Sequence, residues 1–189
     1  SRVLIIAPPI ALPMWQREAS DYLDCVTHIL KTGKTPIALH TSVLVVSYNI
    51  ATTSAAELRD WIEGGILICD ESHALKSTKA KRTQAILGHN GLASSATYAW
   101  MLTGTPITRW NDDLFPFLCN ADLNAVKQEC GGVSLERFQM RFCIRQKRTF
   151  AGARWPTWMT VGNQNTDELA DLTYGGGHAL RVDLDEVYK

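Results

Sequence analysis

The residues best placed to do chemistry in this sequence are Asp70-Glu71-Ser72-His73, which follow the apolar run Ile66-Leu67-Ile68-Cys69. A carboxylate at the end of a buried strand can hold a magnesium ion, usually through water, against the phosphates of a nucleotide such as ATP. A second carboxylate beside it can orient or deprotonate an attacking water. Asp70 and Glu71 are therefore candidates for both metal binding and catalysis. The competing reading is a pair of carboxylates on a solvated loop. It loses ground because polar residues also follow other apolar runs: Pro8-Pro9 after Val3–Ala7, Tyr48 after Val43–Ser47, and Thr103-Gly104-Thr105 after Tyr98–Leu102.

A site of that kind needs a scaffold that brings distant strand ends together. The runs at 3–7, 43–47, 66–70 and 98–102 read as strands buried on both faces, and they are separated by segments with helical spacing. One such segment opens with Pro13 and carries Trp15, Ala19, Tyr22 and Leu23. Another holds Leu58, Trp61 and Ile62 behind a cap at Thr53 or Ser54 and stops at Gly64-Gly65; a third runs from Lys79 to Leu87. This alternation predicts an α/β chain with a parallel sheet covered by helices on both faces. In such folds ligands gather at the carboxyl ends of the strands, where the polar residues fall here.

The tetrapeptide Thr32-Gly33-Lys34-Thr35 contains the Gly-Lys-Thr of a phosphate-binding loop. The full loop needs an earlier glycine, and His28 stands there instead. Pro36 also disfavours continuation into a helix. The five cysteines, Cys25, Cys69, Cys119, Cys130 and Cys143, include no CxxC pair, which argues against zinc and for reduced thiols inside the cell. No run of about 18 apolar residues is present, so no membrane partner is expected.

Lys plus Arg equals Asp plus Glu, 19 against 19, so global charge points to no polyanion. The distribution is uneven. Residues 137–154 hold six basic and no acidic side chains. Arg145, Lys147 and Arg148 lie there beside Phe150, Trp155 and Trp158, a composition suited to phosphate contact and base stacking. It equally suits a solvated loop pinned by two core tryptophans. Farther on, Asn165 with Glu168 resembles a helix start.

Taken together, Ile66 to Lys76 resembles the Asp-Glu-x-His box of superfamily-two helicases in its Swi/Snf form. Val3 to Glu18 resembles motif Ia of that family, Val45-Val46-Ser47-Tyr48 motif Ib, and Leu102 to Pro106 motif III. Order and spacing agree over residues 1–120. Ser72 replaces the commoner Ala. The resemblance implies a RecA-like lobe of a DNA-dependent ATPase, with Asp70 and Glu71 serving magnesium and water. It implies that His73, Thr103, Gly104 and Thr105 couple nucleotide state to movement, and that Pro8, Pro9, Ser47 and Tyr48 lie on the DNA-tracking side. Double-stranded DNA would be the partner, and the location nuclear in a eukaryote or cytoplasmic in a bacterium or virus. On this reading residues 1–120 form the core of the first lobe. Residues 121–189 complete it and approach a second lobe, with Leu180-Arg181 and Asp185-Glu186-Val187 resembling the connecting sequence. The phosphate-loop strand and the second lobe are missing from these residues, so ATP binding would be weak or absent in this chain alone. The alternatives are a degenerate lobe that binds DNA or protein, and a related RNA helicase or restriction-motor lobe.

Overall fold

The computed structural model describes residues 2–23, 25–33, 36–38, 40–152 and 154–181. The Lys34-Thr35 of the Gly-Lys-Thr tetrapeptide and the Asp185-Glu186-Val187 segment lie outside them. The chain forms two compact units, Ser1–Pro106 and Ile107–Lys189.

The first unit is a five-stranded parallel sheet. In chain order its elements are β1 (Val3–Ala7), α1 (Leu12–Tyr22), β2 (Thr27–Ile29), β3 (Val43–Ser47), α2 (Tyr48–Thr53), α3 (Ala55–Ile62), β4 (Ile66–Cys69), α4 (Lys81–Leu87), α5 (Leu92–Ser95) and β5 (Tyr98–Met101). The strand order is β2-β3-β1-β4-β5. Every pairing is parallel, with Ala7 opposite Ser47, and Cys69 opposite both Ile6 and Met101. All four strands read from the apolar runs are present; β2 is too short and too mixed, Thr-His-Ile, to be read from pattern alone.

Alternation along the strands separates two faces. Leu4, Ile6, Leu44, Val46, Leu67 and Cys69 are fully buried on one. Ile5, Val43 and Val45 on the other pack with Ala19, Leu12 and Trp15 of α1. That second cover fails toward β5, where Tyr98 and Trp100 are 60% and 55% exposed. The fourth run is thus a strand as expected, but it is bare on one face and ends the sheet. Between α3 and β4 the chain turns through Gly64 at φ 70°, a conformation that suits a residue without Cβ.

The second unit is mainly helical, with α6 (Phe115–Ala121), α7 (Leu123–Cys130), α8 (Leu135–Phe142), the hairpin β6 (Cys143–Arg148) and β7 (Thr157–Asn163), and α9 (Thr166–Ala170). Its core joins Leu114, Phe115, Leu118, Val126, Phe138, Phe142 and Leu169. Phe138 meets Phe115 edge-on at 5.3 Å between ring centroids and lies 4.8 Å from Phe142. Asp122 caps α7 and Ser134 caps α8 through their side-chain oxygens. Asn165 precedes α9, but its backbone is left-handed (φ 50°) and makes no side-chain cap. Its amide donates instead to the Arg141 carbonyl at 2.8 Å. Where the sequence suggested irregular chain from 143 to 158, the structure has a two-stranded antiparallel sheet.

Candidate functional site

The parallel sheet aligns its carboxyl ends, and the sequence puts polar residues at those of β3, β4 and β5: Ser47-Tyr48, Asp70-Glu71 and Thr103. After β1 the chain moves to β2 and β3 on one side of it, then crosses to β4 on the other, so the order reverses between β1 and β4. Crevices at such points are where open parallel sheets bind ligands. Asp70 stands there. Its N–H continues the ladder to the Ile6 carbonyl at 2.8 Å.

Both Asp70 carboxylate oxygens are engaged. Oδ1 accepts the Glu71 N–H at 2.9 Å, and Oδ2 accepts the Trp15 indole N–H at 2.8 Å. The Asp70 carbonyl accepts the Tyr48 hydroxyl at 2.7 Å. Burial first, then the neighbouring Cys69, Asp70 and Glu71, push the Tyr48 phenol far above its ordinary value, so it remains a donor. Glu71 takes the left-handed conformation at φ 51°, turning the chain sharply away from the strand into the short helical turn Ser72–Leu75. Ser72 is buried, so this position calls for a small side chain, and its N–H donates to the Leu102 carbonyl at 2.9 Å.

His73 links the two halves of the cluster. Its Nδ1 lies 3.1 Å from Glu71 Oε2 and 3.4 Å from Thr103 Oγ1. One nitrogen can donate to the carboxylate or accept from the hydroxyl, but not both at once. Thr103 Oγ1 in turn accepts the Thr105 N–H at 3.1 Å. A continuous line of contacts therefore runs from Glu71 through His73 to Thr103 and Thr105. Gly104 lies at the bend, with nothing within 4 Å of where a Cβ would stand.

Of the sequence candidates, the structure brings Asp70, Glu71, His73, Thr103 and Thr105 together. Pro8 and Pro9 follow β1, with Pro9 exposed. Ser47 is buried, and its hydroxyl accepts the Ile50 N–H to cap α2. Arg145, Lys147 and Arg148 are in the second unit. Alternation sets Arg145 and Lys147 on one hairpin face with Trp158 and Arg148 on the other. Arg145 and Lys147 lie 5.4 and 5.1 Å from the Trp158 ring centre. The Arg145 side chain is only 16% exposed and is 3.7 Å from Glu136. Arg141 bridges Glu129 at 2.8 Å and Glu168 at 3.2 Å, which ties α7 and α9 to α8.

Sequence reasoning missed Trp15 as a partner of Asp70, since 55 residues separate them. It also missed Asn111, buried in the second unit, whose amide donates to the Phe142 and Gln164 carbonyls at 3.0 and 3.3 Å. Neither bond has a local signal; only an aromatic with a polar edge at helical spacing hinted at the first.

Among the described residues no three or more His, Cys, Asp or Glu side chains converge as a metal cluster. Magnesium asks for less: one or two carboxylates, with water and phosphate completing its shell. Asp70 and Glu71 supply oxygen donors of that kind, and each Asp70 carboxylate oxygen retains a lone pair beyond the hydrogen bond it already accepts.

A parallel sheet with this order and with carboxylates at the reversal defines an α/β lobe of the RecA-like class. The chain belongs to the SNF2-related domain family, whose model matches residues 1–130. It is similar to the DNA annealing helicase and endonuclease ZRANB3 of Mus musculus, 31% identical over 133 residues, which is 69% of this chain and 11% of that protein. The TATA-binding protein-associated factor mot1 of Aspergillus fumigatus is 31% identical over 147 residues, 71% of this chain and 7% of that protein. Among solved structures, the Sulfolobus solfataricus SWI2/SNF2 ATPase core in complex with dsDNA matches with a TM-score of 0.59 at 20% identity. That match covers 75% of this chain and 28% of the other. The chain thus spans a small part of the relatives it matches. No helix among the described residues is long and apolar enough to cross a membrane.

Proposed function

We propose that this chain is part of the first RecA-like lobe of an ATP-driven translocase on double-stranded DNA, working wherever the genome lies. The observation that carries this reading is the cluster of Asp70, Glu71, His73 and Thr103 at adjacent strand ends. The names of the relatives support it: an annealing helicase for ZRANB3, and an ATPase core bound to duplex DNA for the solved neighbour.

Asp70, with both oxygens fixed by hydrogen bonds, would hold magnesium together with Glu71. Magnesium, when bound, spreads the charge that develops on the transferred phosphoryl group. Glu71, half exposed on its sharp turn, orients the attacking water. His73 passes the state of Glu71 to Thr103 and Thr105, since its Nδ1 lies within reach of both the Glu71 carboxylate and the Thr103 hydroxyl. Pro8, Pro9 and the segment around Ser47 and Tyr48 lie on the side that tracks DNA. The open edge of β5 would take up a further strand in the complete protein, and a second lobe would complete the site.

The test is DNA-stimulated ATP hydrolysis by the complete protein. Glu71→Gln keeps size and hydrogen bonding but removes the carboxylate, and should lower turnover by about 10²–10⁴-fold while nucleotide still binds. A variant keeping more than about a tenth of the rate contradicts that role.

A further inference from the structure

Asp70 is held at more points than a carboxylate at a strand end needs, and the holders come from the helices that follow two other strands. Trp15 sits on α1, a few residues beyond the Pro8-Pro9 turn, and gives its indole N–H to Oδ2. Tyr48 opens α2 directly after Ser47, and its hydroxyl reaches past β1 to the Asp70 carbonyl. The Glu71 N–H takes the remaining oxygen. Neither aromatic is a passive wall. Trp15 packs with the cluster of Ile5, Val43 and Val45, while Tyr48 is almost wholly buried. Each ring is fixed by packing while its one polar atom is spent on Asp70.

We propose that Trp15 and Tyr48 are positioning residues that tie Asp70 to the segments following β1 and β3, so that DNA engaging those segments changes how Asp70 presents its carboxylate to a divalent cation. The inference rests on the ATPase reading above, because it takes Asp70 as the cation-holding group and the β1 and β3 ends as the DNA side. The physical case is rigidity. The path from α1 to the carboxylate is one packed indole, and from α2 to the backbone one buried phenol. A displacement of either helix start is carried by a packed ring to a 2.7–2.8 Å bond, and so acts on Asp70. A group whose partner at one remove is lost changes its metal affinity by about 10–100-fold.

The experiment uses the complete protein with a non-hydrolysable ATP analogue and Mn²⁺ as the probe, read by electron paramagnetic resonance titration with and without duplex DNA. The variants are Trp15→Phe and Tyr48→Phe, which keep a ring and remove the polar hydrogen, with Asp70→Asn as control. In the parent protein, DNA should shift the Mn²⁺ affinity. In each variant that DNA-dependent shift should fall to less than about half on a logarithmic scale. DNA-free Mn²⁺ binding should weaken by about tenfold in Trp15→Phe. A purely structural role would lower the melting temperature and leave the shift as it was. An unchanged shift in both variants overturns the inference, as does the lack of any shift in the parent protein. If Trp15→Phe does not fold, Tyr48→Phe decides alone. Should Asp70→Asn bind Mn²⁺ as the parent does, the ATPase reading itself fails. If Asp70→Asn loses binding but both Phe variants keep the shift, only the brace is lost.

Discussion

Glu71 stands at φ 51°, where a side chain crowds its own carbonyl at a cost of roughly 1–2 kcal/mol. Fold stability alone would favour glycine there. Glu71→Gly should therefore raise stability by about 0.5–1 kcal/mol after the entropy of the freer unfolded chain is counted. The Asp70 Oδ1 bond to the residue 71 N–H survives the change, because it is made by backbone. Glu71→Ala keeps the Cβ and should show no such gain. Paired thermal melts decide it: a glycine variant less stable than the alanine variant would mean the turn carries no strain. The carboxylates and the histidine were legible because their types and spacing are local. The strained backbone, and the Trp15 and Tyr48 bonds, were not, since a sequence carries no record of φ or of contacts across 55 and 22 residues.

At the level of elements, legibility followed hydrophobic period. Ile66-Leu67-Ile68-Cys69 and Val43-Leu44-Val45-Val46 announce strands because two covered faces demand apolar residues at every position. Leu135, Phe138 and Phe142 fall at helical spacing in α8 because one covered face demands apolar residues only there, and both phenylalanines are fully buried. The hairpin β6–β7 has no such signal. Cys143-Ile144-Arg145-Gln146-Lys147-Arg148 buries only its first residue, and a register shift between Ile144 and Arg145 breaks what alternation remains. Its placement of cations on both faces sharpens the expectation for DNA. Lys147 and Arg148 are exposed, whereas Arg145 is largely covered and beside Glu136. Replacing Lys147 and Arg148 with Ala in the complete protein should reduce the slope of log affinity against log salt by about 2, roughly 0.9 per lost phosphate contact. Arg145→Ala should change the slope by less than about half of one such contact. Binding titrations at several salt concentrations measure both, and an unchanged slope in the double variant would leave the hairpin as ordinary surface.

At the scale of the whole chain, the described residues of the first unit hold the groups proposed for water activation and coupling, and form no Gly-rich loop of the kind that cradles phosphates with backbone N–H groups and a lysine. Magnesium-ATP should bind the 189-residue chain no tighter than about millimolar; calorimetry showing micromolar binding would mean that some element here cradles phosphate after all. The edge of the sheet has a practical consequence. Among the described residues the sheet stops at β5, and one side of that strand's N–H and C=O groups has no neighbouring strand, beside the exposed rings of Tyr98 and Trp100. Natural edges are blunted with lysine, proline or a bulge, and Tyr98-Ala99-Trp100-Met101 has none of these. Two copies meeting edge to edge would continue each other's sheet, so the chain purified alone should self-associate as its concentration rises. Trp100→Lys should suppress the light scattering that reports this. Scattering that does not respond to Trp100→Lys would locate the stickiness elsewhere. If it does respond, the lobe depends on the rest of its chain for colloidal stability as well as for phosphate.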